Sequence, residues 1–180
     1  LIDFDLRRPG LHKFAGLDND SGIITLVNEM SHNPNSIDAG LKKHLKNIHP
    51  NLHMLTSGGK TRSVTELIEK EEFGILLDKL KTESDVIVVD SPPIGLFPDA
   101  LAFSKIADDI IFVTRYGKVA RRVAKNLLYS IEESGTNILG VVLNDLPQKR
   151  STGYYYSGYY GYGYYRYKYY NKYYGKEQDS

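Results

Sequence analysis

Four polar residues stand at the ends of apolar runs in this 180-residue chain. Asp3 and Asp5 alternate with Ile2, Phe4 and Leu6, Asp90 closes Val86-Ile-Val-Val, and Asn144 closes Ile138-Leu-Gly-Val-Val-Leu. A carboxylate at the C-terminal end of a parallel strand lies where open α/β sheets bind their ligands. Such carboxylates suit nucleotide chemistry, because phosphates need Mg²⁺ and Mg²⁺ keeps several waters while taking few carboxylates. Asp3 and Asp90 are the expected holders of those waters. Asp3 or Asp5 could accept a proton from an attacking hydroxyl. Asn144 carries both a donor and an acceptor, as an adenine edge requires. Plainer readings stay open: Asp3 and Asp5 as the wet face of an edge strand, and Asp90 as a turn residue after a core strand.

The surrounding pattern must bring these ends together. Val86 to Val89 is an unbroken β-branched run stopped by Pro92 and Pro93, which reads as a strand buried on both faces. Asp109 to Thr114 and Ile138 to Asn144 read the same way, and Leu52 to Thr56 as a further short strand. Helices are expected over Ser21 to Met30 with Ser21 as cap, from the Ser63-Val-Thr-Glu66 capping box onward as one broken helix or two, over Pro98 to Ile106, and over Ala120 to Ser134 with Gly135 as its stop. Ser31 to Gly40 reads as a loop, and Ser57-Gly58-Gly59-Lys60 as a flexible one. Strands and helices alternating over short connections predict an α/β fold with a doubly wound, mostly parallel sheet. In one such sheet all the polar strand ends share an edge.

Composition bounds the rest. With 41% hydrophobic residues the chain can build one cored domain, and with no Cys it has neither disulfides nor thiolate metal sites. The five His residues are read as surface or loop residues rather than metal ligands. No run approaches the ~18 apolar residues of a membrane span. Net charge is +1 overall, but Pro147 to Ser180 holds six Lys/Arg against two Asp/Glu, so a +4 tail follows a −3 body. Between Tyr154 and Tyr174 there are 13 tyrosines in 21 residues: Tyr154, Tyr155, Tyr156, Tyr159, Tyr160, Tyr162, Tyr164, Tyr165, Tyr167, Tyr169, Tyr170, Tyr173 and Tyr174. No Leu, Ile or Val is interleaved, which predicts a disordered low-complexity tail over 149–180 behind a domain over 1–148.

These residues resemble the bacterial tyrosine kinases. Leu1-Ile-Asp-Phe-Asp-Leu-Arg7 resembles their Walker A′ motif, Val86-Ile-Val-Val-Asp90-Ser-Pro-Pro93 their Walker B strand, Gly140-Val-Val-Leu-Asn144 the strand with their base-contacting Asn, and Tyr154 to Tyr174 their autophosphorylated cluster. The resemblance implies a P-loop NTPase-like kinase that uses ATP and Mg²⁺. Asp3, Asp5 and Asp90 would be its metal and catalytic carboxylates, Asn144 its nucleotide contact, and the 13 tyrosines its phosphoacceptors. It also implies a homo-oligomer in which a neighbour's tail is the substrate, working at the cytoplasmic face of the inner membrane in capsular or extracellular polysaccharide synthesis and export. The partner would be a membrane chain-length regulator, fused or separate, and nucleic acid is not an expected partner.

Two departures qualify this. No G-x-x-x-x-G-K-[ST] occurs in the chain; at Gly59-Lys60-Thr61 the position of the first glycine is Met54. The family's N-terminal helix for subunit contacts is also not expected among these 180 residues. The phosphate loop is expected in residues encoded before Leu1, and these 180 residues alone are expected to bind ATP poorly; millimolar or tighter affinity would contradict that. Phosphate adds about −1.5 to −2 per site, so two or three phosphotyrosines cancel the tail's +4 and predict its release from an acidic neighbouring site. Two other functions share parts of the pattern. A partition or site-selection ATPase shares the fold but gives no reason for clustered tyrosines. A Tyr/Lys/Arg tail on an inactive body could stack on single-stranded nucleic acid.

Overall fold

The computed structural model describes residues 1–95, 98–104 and 106–147. All of its regular elements fall in one unit, Leu1–Leu146. In chain order they are β1 (Ile2–Asp3), α1 (Leu11–Ala15), α2 (Ile23–His32), a 3₁₀ turn (Pro34–Ser36), α3 (Ile37–His44), β2 (Leu45–His49), β3 (Leu52–Leu55), α4 (Val64–Glu69), α5 (Glu71–Glu83), β4 (Val89–Asp90), α6 (Pro98–Ser104), β5 (Asp109–Arg115), α7 (Arg121–Glu133) and β6 (Asn137–Asn144).

The alternating start of the chain places β1 inside a sheet. Its order is β2-β3-β1-β4, with β1 parallel to both neighbours and β2 antiparallel to β3. Ile2, Phe4 and Leu6 are buried on one side of this segment. Phe4 meets Phe103 with ring centroids 4.6 Å apart and Phe73 at 5.6 Å. Those rings come from α6 and α5, so one aromatic cluster joins β1 to two helices. On α5, Phe73, Leu76 and Leu80 are buried at helical spacing. Lys70, with extended backbone (φ −68°, ψ 137°), divides α4 from α5 and settles the one-or-two question in favour of two helices.

Several expectations are corrected. The polar 31–40 stretch contains the 3₁₀ turn and the start of α3. Its helical face is short, Gly40, Leu41 and His44 being the buried positions, so the periodicity is hidden among polar residues. The partner strand β2 was likewise hidden by its Lys and Asn. Helix α2 is capped by Gly22 rather than Ser21: Thr25 Oγ1 accepts from the Gly22 amide at 2.8 Å and donates to the Gly22 carbonyl at 2.9 Å. Ser63 makes no side-chain cap. The Ser57–Lys60 loop is packed where it leaves β3. Thr56, Ser57 and Gly58 are buried, and Asn19 Oδ1 lies 2.9 Å from Ser57 Oγ and accepts from the Gly58 amide at 3.1 Å.

The strands expected to be buried on both faces are not. Strand β5 pairs in parallel with β6 in a second sheet of two strands, so the described residues do not form one continuous sheet. Ile111 and Val113 of β5, Leu139 and Val141 of β6, and Val86 and Val88 ahead of β4 are all more than half exposed. Among the described residues β4 is bonded on one side only, by β1, and β5 on one side only, by β6. No described helix is long and apolar enough to cross a membrane.

Candidate active site

Because β1 lies between β3 and β4, its acids cannot be the wet face of an edge strand. Asp3 is fully buried and Asp5 is 8% exposed. Asp3 pairs in register with Asp90 of β4, and the Phe4 amide donates to the Asp90 carbonyl at 2.8 Å. Paired residues of parallel neighbours share a face, on strands ~4.8 Å apart. Residues two apart in extended chain return to the same face, which sets Asp5 beyond Asp3.

The chain then turns back over these carboxylates. The Arg8 amide donates to Asp5 Oδ1 at 3.0 Å and to the Asp5 carbonyl at 3.1 Å, an Asp-nucleated turn. Pro9 and Gly10 follow, and the amides of Gly10 and Leu11 donate to Asp3 Oδ2 at 3.1 and 3.0 Å. One oxygen of Asp3 is thus occupied by the start of α1. The other, Oδ1, is buried and has no hydrogen-bond partner.

Three carboxylates in one place strain against one another. Burial pushes the Asp3 carboxyl above the usual range, and the Asp5 charge adds to this, while the amides of Leu11, Gly10 and, least, Asp5 oppose it. The Asp90 carboxyl is pushed up to about 6, first by burial and then by the charges of Asp3 and Asp5. Its side chain nevertheless reaches solvent, which screens part of that repulsion. A cation would relieve the mutual repulsion of such anions and the unpartnered oxygen of Asp3. Among the described residues no group of three or more His, Asp or Glu is placed to hold a metal ion. Mg²⁺ needs fewer protein ligands, using one or two carboxylates and filling its octahedron with water and phosphate oxygens. Asp3 and Asp90 fit the ion on this chemistry.

Asn144 shares no strand pairing with this group. It ends β6 in register with Arg115, in the two-stranded sheet. Its carbonyl accepts from the Tyr116 amide at 2.9 Å and its Oδ1 from the Asp145 amide at 2.8 Å. Arg115 pairs with Asp145 beside it. No hydrogen bond among the described residues links Asn144 to the three acids. The tyrosines from 154 to 174 lie outside the described residues.

Residue types did not announce the backbone amides of Arg8, Gly10 and Leu11. The available signal was Pro9-Gly10 directly after an acidic strand end, the grammar of a tight return.

No protein-family model matches the chain. It is 30% identical over 156 residues to a putative tyrosine-protein kinase CapB of Staphylococcus aureus, covering 87% of this chain and 65% of that protein. It is 31% identical over 148 residues to the succinoglycan biosynthesis transport protein ExoP of Rhizobium meliloti, covering 80% of this chain and 18% of that one. Among solved structures, the chimerical protein CapA2B2 superposes with a TM-score of 0.71 at 29% identity, over 82% of this chain and 62% of that one. The chain therefore spans less than two thirds of each of these proteins.

Proposed function

We propose that this chain, a homologue of the bacterial tyrosine kinases, is the carboxylate-bearing part of a kinase that moves the γ-phosphoryl of ATP onto clustered tyrosines of a neighbouring copy. The observation that carries the reading is the in-register pair of Asp3 and Asp90, with the buried Asp3 Oδ1 left without a partner. Asp3 and Asp90 would hold a hydrated Mg²⁺, which neutralises charge on the phosphates during transfer. Asp5, held by the Arg8 amide, is the proton acceptor next to them. The tyrosine oxygen bonds to the γ-phosphorus as the bond to the β–γ bridging oxygen breaks. The hydroxyl proton passes to the carboxylate and ADP departs. Asn144 is assigned to the base of the nucleotide by resemblance alone.

In this reading the phosphoacceptors are the tyrosines between Tyr154 and Tyr174, and the enzyme works in an oligomer. Its setting is capsular or extracellular polysaccharide synthesis, beside a membrane chain-length regulator. The name of the relative ExoP supports the setting. The test uses the whole protein with ATP and Mg²⁺. Phosphotyrosine should form, and Asp3→Ala should abolish it. Hydrolysis of ATP without phosphotyrosine would leave a partition-type ATPase instead.

A further inference from the structure

Helix α7 and the loop before it carry a charge cluster that the acids of β1 and β4 do not use. Lys118 precedes the helix, and Arg121, Arg122 and Lys125 stand in its first two turns, all four exposed. No Asp or Glu occurs from Tyr116 to Ile131. None of the four side chains makes an ion pair or hydrogen bond among the described residues. Other surface lysines of the body are paired, Lys43 with Glu29 and Lys79 with Asp38 and Glu83. The acids nearest in the fold are engaged or remote. Asp145 pairs with Arg115 at the end of β5, and Asp109 with Asn137 at its start. Glu132 and Glu133 lie about two turns beyond Lys125. The body from Leu1 to Leu146 carries −3, so the cluster opposes the sign of the unit that bears it. Nor does it serve the helix, because a first turn favours anions and α7 has no acid there.

Apolar side chains are interleaved with these cations. Tyr116 is 52% exposed, Val119 40%, Val123 49% and Tyr129 63%. Arg121, Lys125 and Tyr129 follow one another four residues apart along one side of α7. The Tyr116 amide donates to the Asn144 carbonyl at 2.9 Å, and Gly117 turns the chain with φ +67°, which ties the loop to the end of β6. We propose that this face, with Lys118, Arg121, Arg122 and Lys125 around Val119 and Val123, docks on a membrane surface rich in anionic lipid. Basic side chains are drawn to the negative potential of such a surface. Valines enter the boundary between headgroups and acyl chains, and Tyr rings settle at that level. A nucleic-acid backbone would meet the charges but leave both valines in water. The inference goes beyond the kinase reading and does not depend on it, since the contact requires no phosphate transfer. It gives the body a bilayer contact of its own, without a membrane-spanning helix.

The test sediments this protein with vesicles of phosphatidylcholine alone or with about a quarter phosphatidylglycerol, in the absence of nucleotide. Partition onto the anionic vesicles should be at least about tenfold greater and should collapse in high salt. Changing Lys118, Arg121, Arg122 and Lys125 together to Gln should remove most of that preference and leave the melting temperature unchanged. Val119→Ser with Val123→Ser should weaken binding severalfold at unaltered charge. Changing the six Lys and Arg of Pro147 to Ser180 to Gln controls for the basic tail and should leave most of the binding in place. Equal partition onto neutral and anionic vesicles would overturn the proposal, as would undiminished binding in the α7 variant. Tighter binding to single-stranded RNA than to vesicles at equal phosphate concentration would overturn it in favour of nucleic acid.

Discussion

Asp3 and Asp90 stand opposite each other in register across the parallel pair β1 and β4, with the Phe4 amide bonded to the Asp90 carbonyl at 2.8 Å. Two acids distant in the chain thereby occupy adjacent places on one sheet face, with Asp5 close enough to repel both.

The first prediction concerns pH. The Asp90 carboxyl is pushed up to about 6. An acid whose pKa rises on folding binds its proton more tightly in the folded chain, so stability falls as pH rises from about 4 through about 6. Asp90→Asn removes that loss. Without metal, the variant should exceed the wild type by about 1 kcal/mol at pH 7.5, a figure already reduced for solvent screening, and match it near pH 4. Thermal unfolding in chelator at the two pH values decides the matter, and no gain at pH 7.5 would refute it.

Magnesium should oppose this trend, because the cation and the proton compete for the same oxygens. At ten times its Kd, Mg²⁺ should stabilise the wild type by about 1.4 kcal/mol. The gain should shrink at pH 5 and be largely absent in Asp90→Asn. Unfolding curves with and without Mg²⁺ measure it; an equal gain in the variant would remove Asp90 from the ion's shell.

Asp3 has two separable tasks. Asp3→Asn keeps an oxygen for the Gly10 and Leu11 amides but loses the charge. It should lower phosphotyrosine formation by the whole protein about 100-fold or more. Asp3→Ala should lower it as far and also leave both amides without their acceptor, costing roughly 2 kcal/mol more than the Asn change in urea unfolding. Equal stability of the two variants would show that the amides do not depend on Asp3.

The aromatic cluster behind the acids is a stability prediction. Phe4 is fully buried, within 4.6 Å of Phe103 and 5.6 Å of Phe73 between ring centroids. Phe4→Ala should cost about 3–5 kcal/mol, and Phe4→Leu less than half of that. A loss under about 1 kcal/mol for Phe4→Ala would mean that the cluster does not hold β1 to α5 and α6.

Gly22 is required by space rather than by its extended backbone. A Cβ there would lie 2.1 Å from the Thr56 carbonyl oxygen and 2.5 Å from the Gly58 nitrogen, both backbone atoms. Gly22→Ala should therefore destabilise by at least about 2 kcal/mol, read as a fall in the urea midpoint. An unchanged midpoint would show that α2 and the loop after β3 can separate without loss.

Strong periodicity was legible. The α7 helix and the β5 and β6 strands fall within a residue of the boundaries expected from apolar spacing. Weak periodicity was not: α3 and β2 lie in a stretch of Asn, Lys and His whose few buried positions carry no clear period. Ser21 and Ser63 satisfied the composition rule for caps, yet Gly22 took one role and Ser63 has no side-chain bond. Cap identity depends on backbone angles and on what packs against the helix end, neither of which composition encodes.

By itself the sequence determined which groups are available: three carboxylates at strand ends, an asparagine at another, a basic tail dense in tyrosine, and an α/β order of elements. Each follows from residue type and local spacing, which short-range physics reads directly. Only the tertiary structure decided which of them meet. Register across β1 and β4 brought Asp3 to Asp90, and burial with one oxygen left over made Asp3 a candidate for a cation. Strand pairing put Asn144 in the two-stranded sheet rather than beside them, and a backbone bond from Thr61 to Leu6 tied the loop after β3 to the segment that follows β1. These are contacts between residues tens of positions apart, formed by hydrogen-bond pairing and core packing that act through space, so no local pattern could specify them.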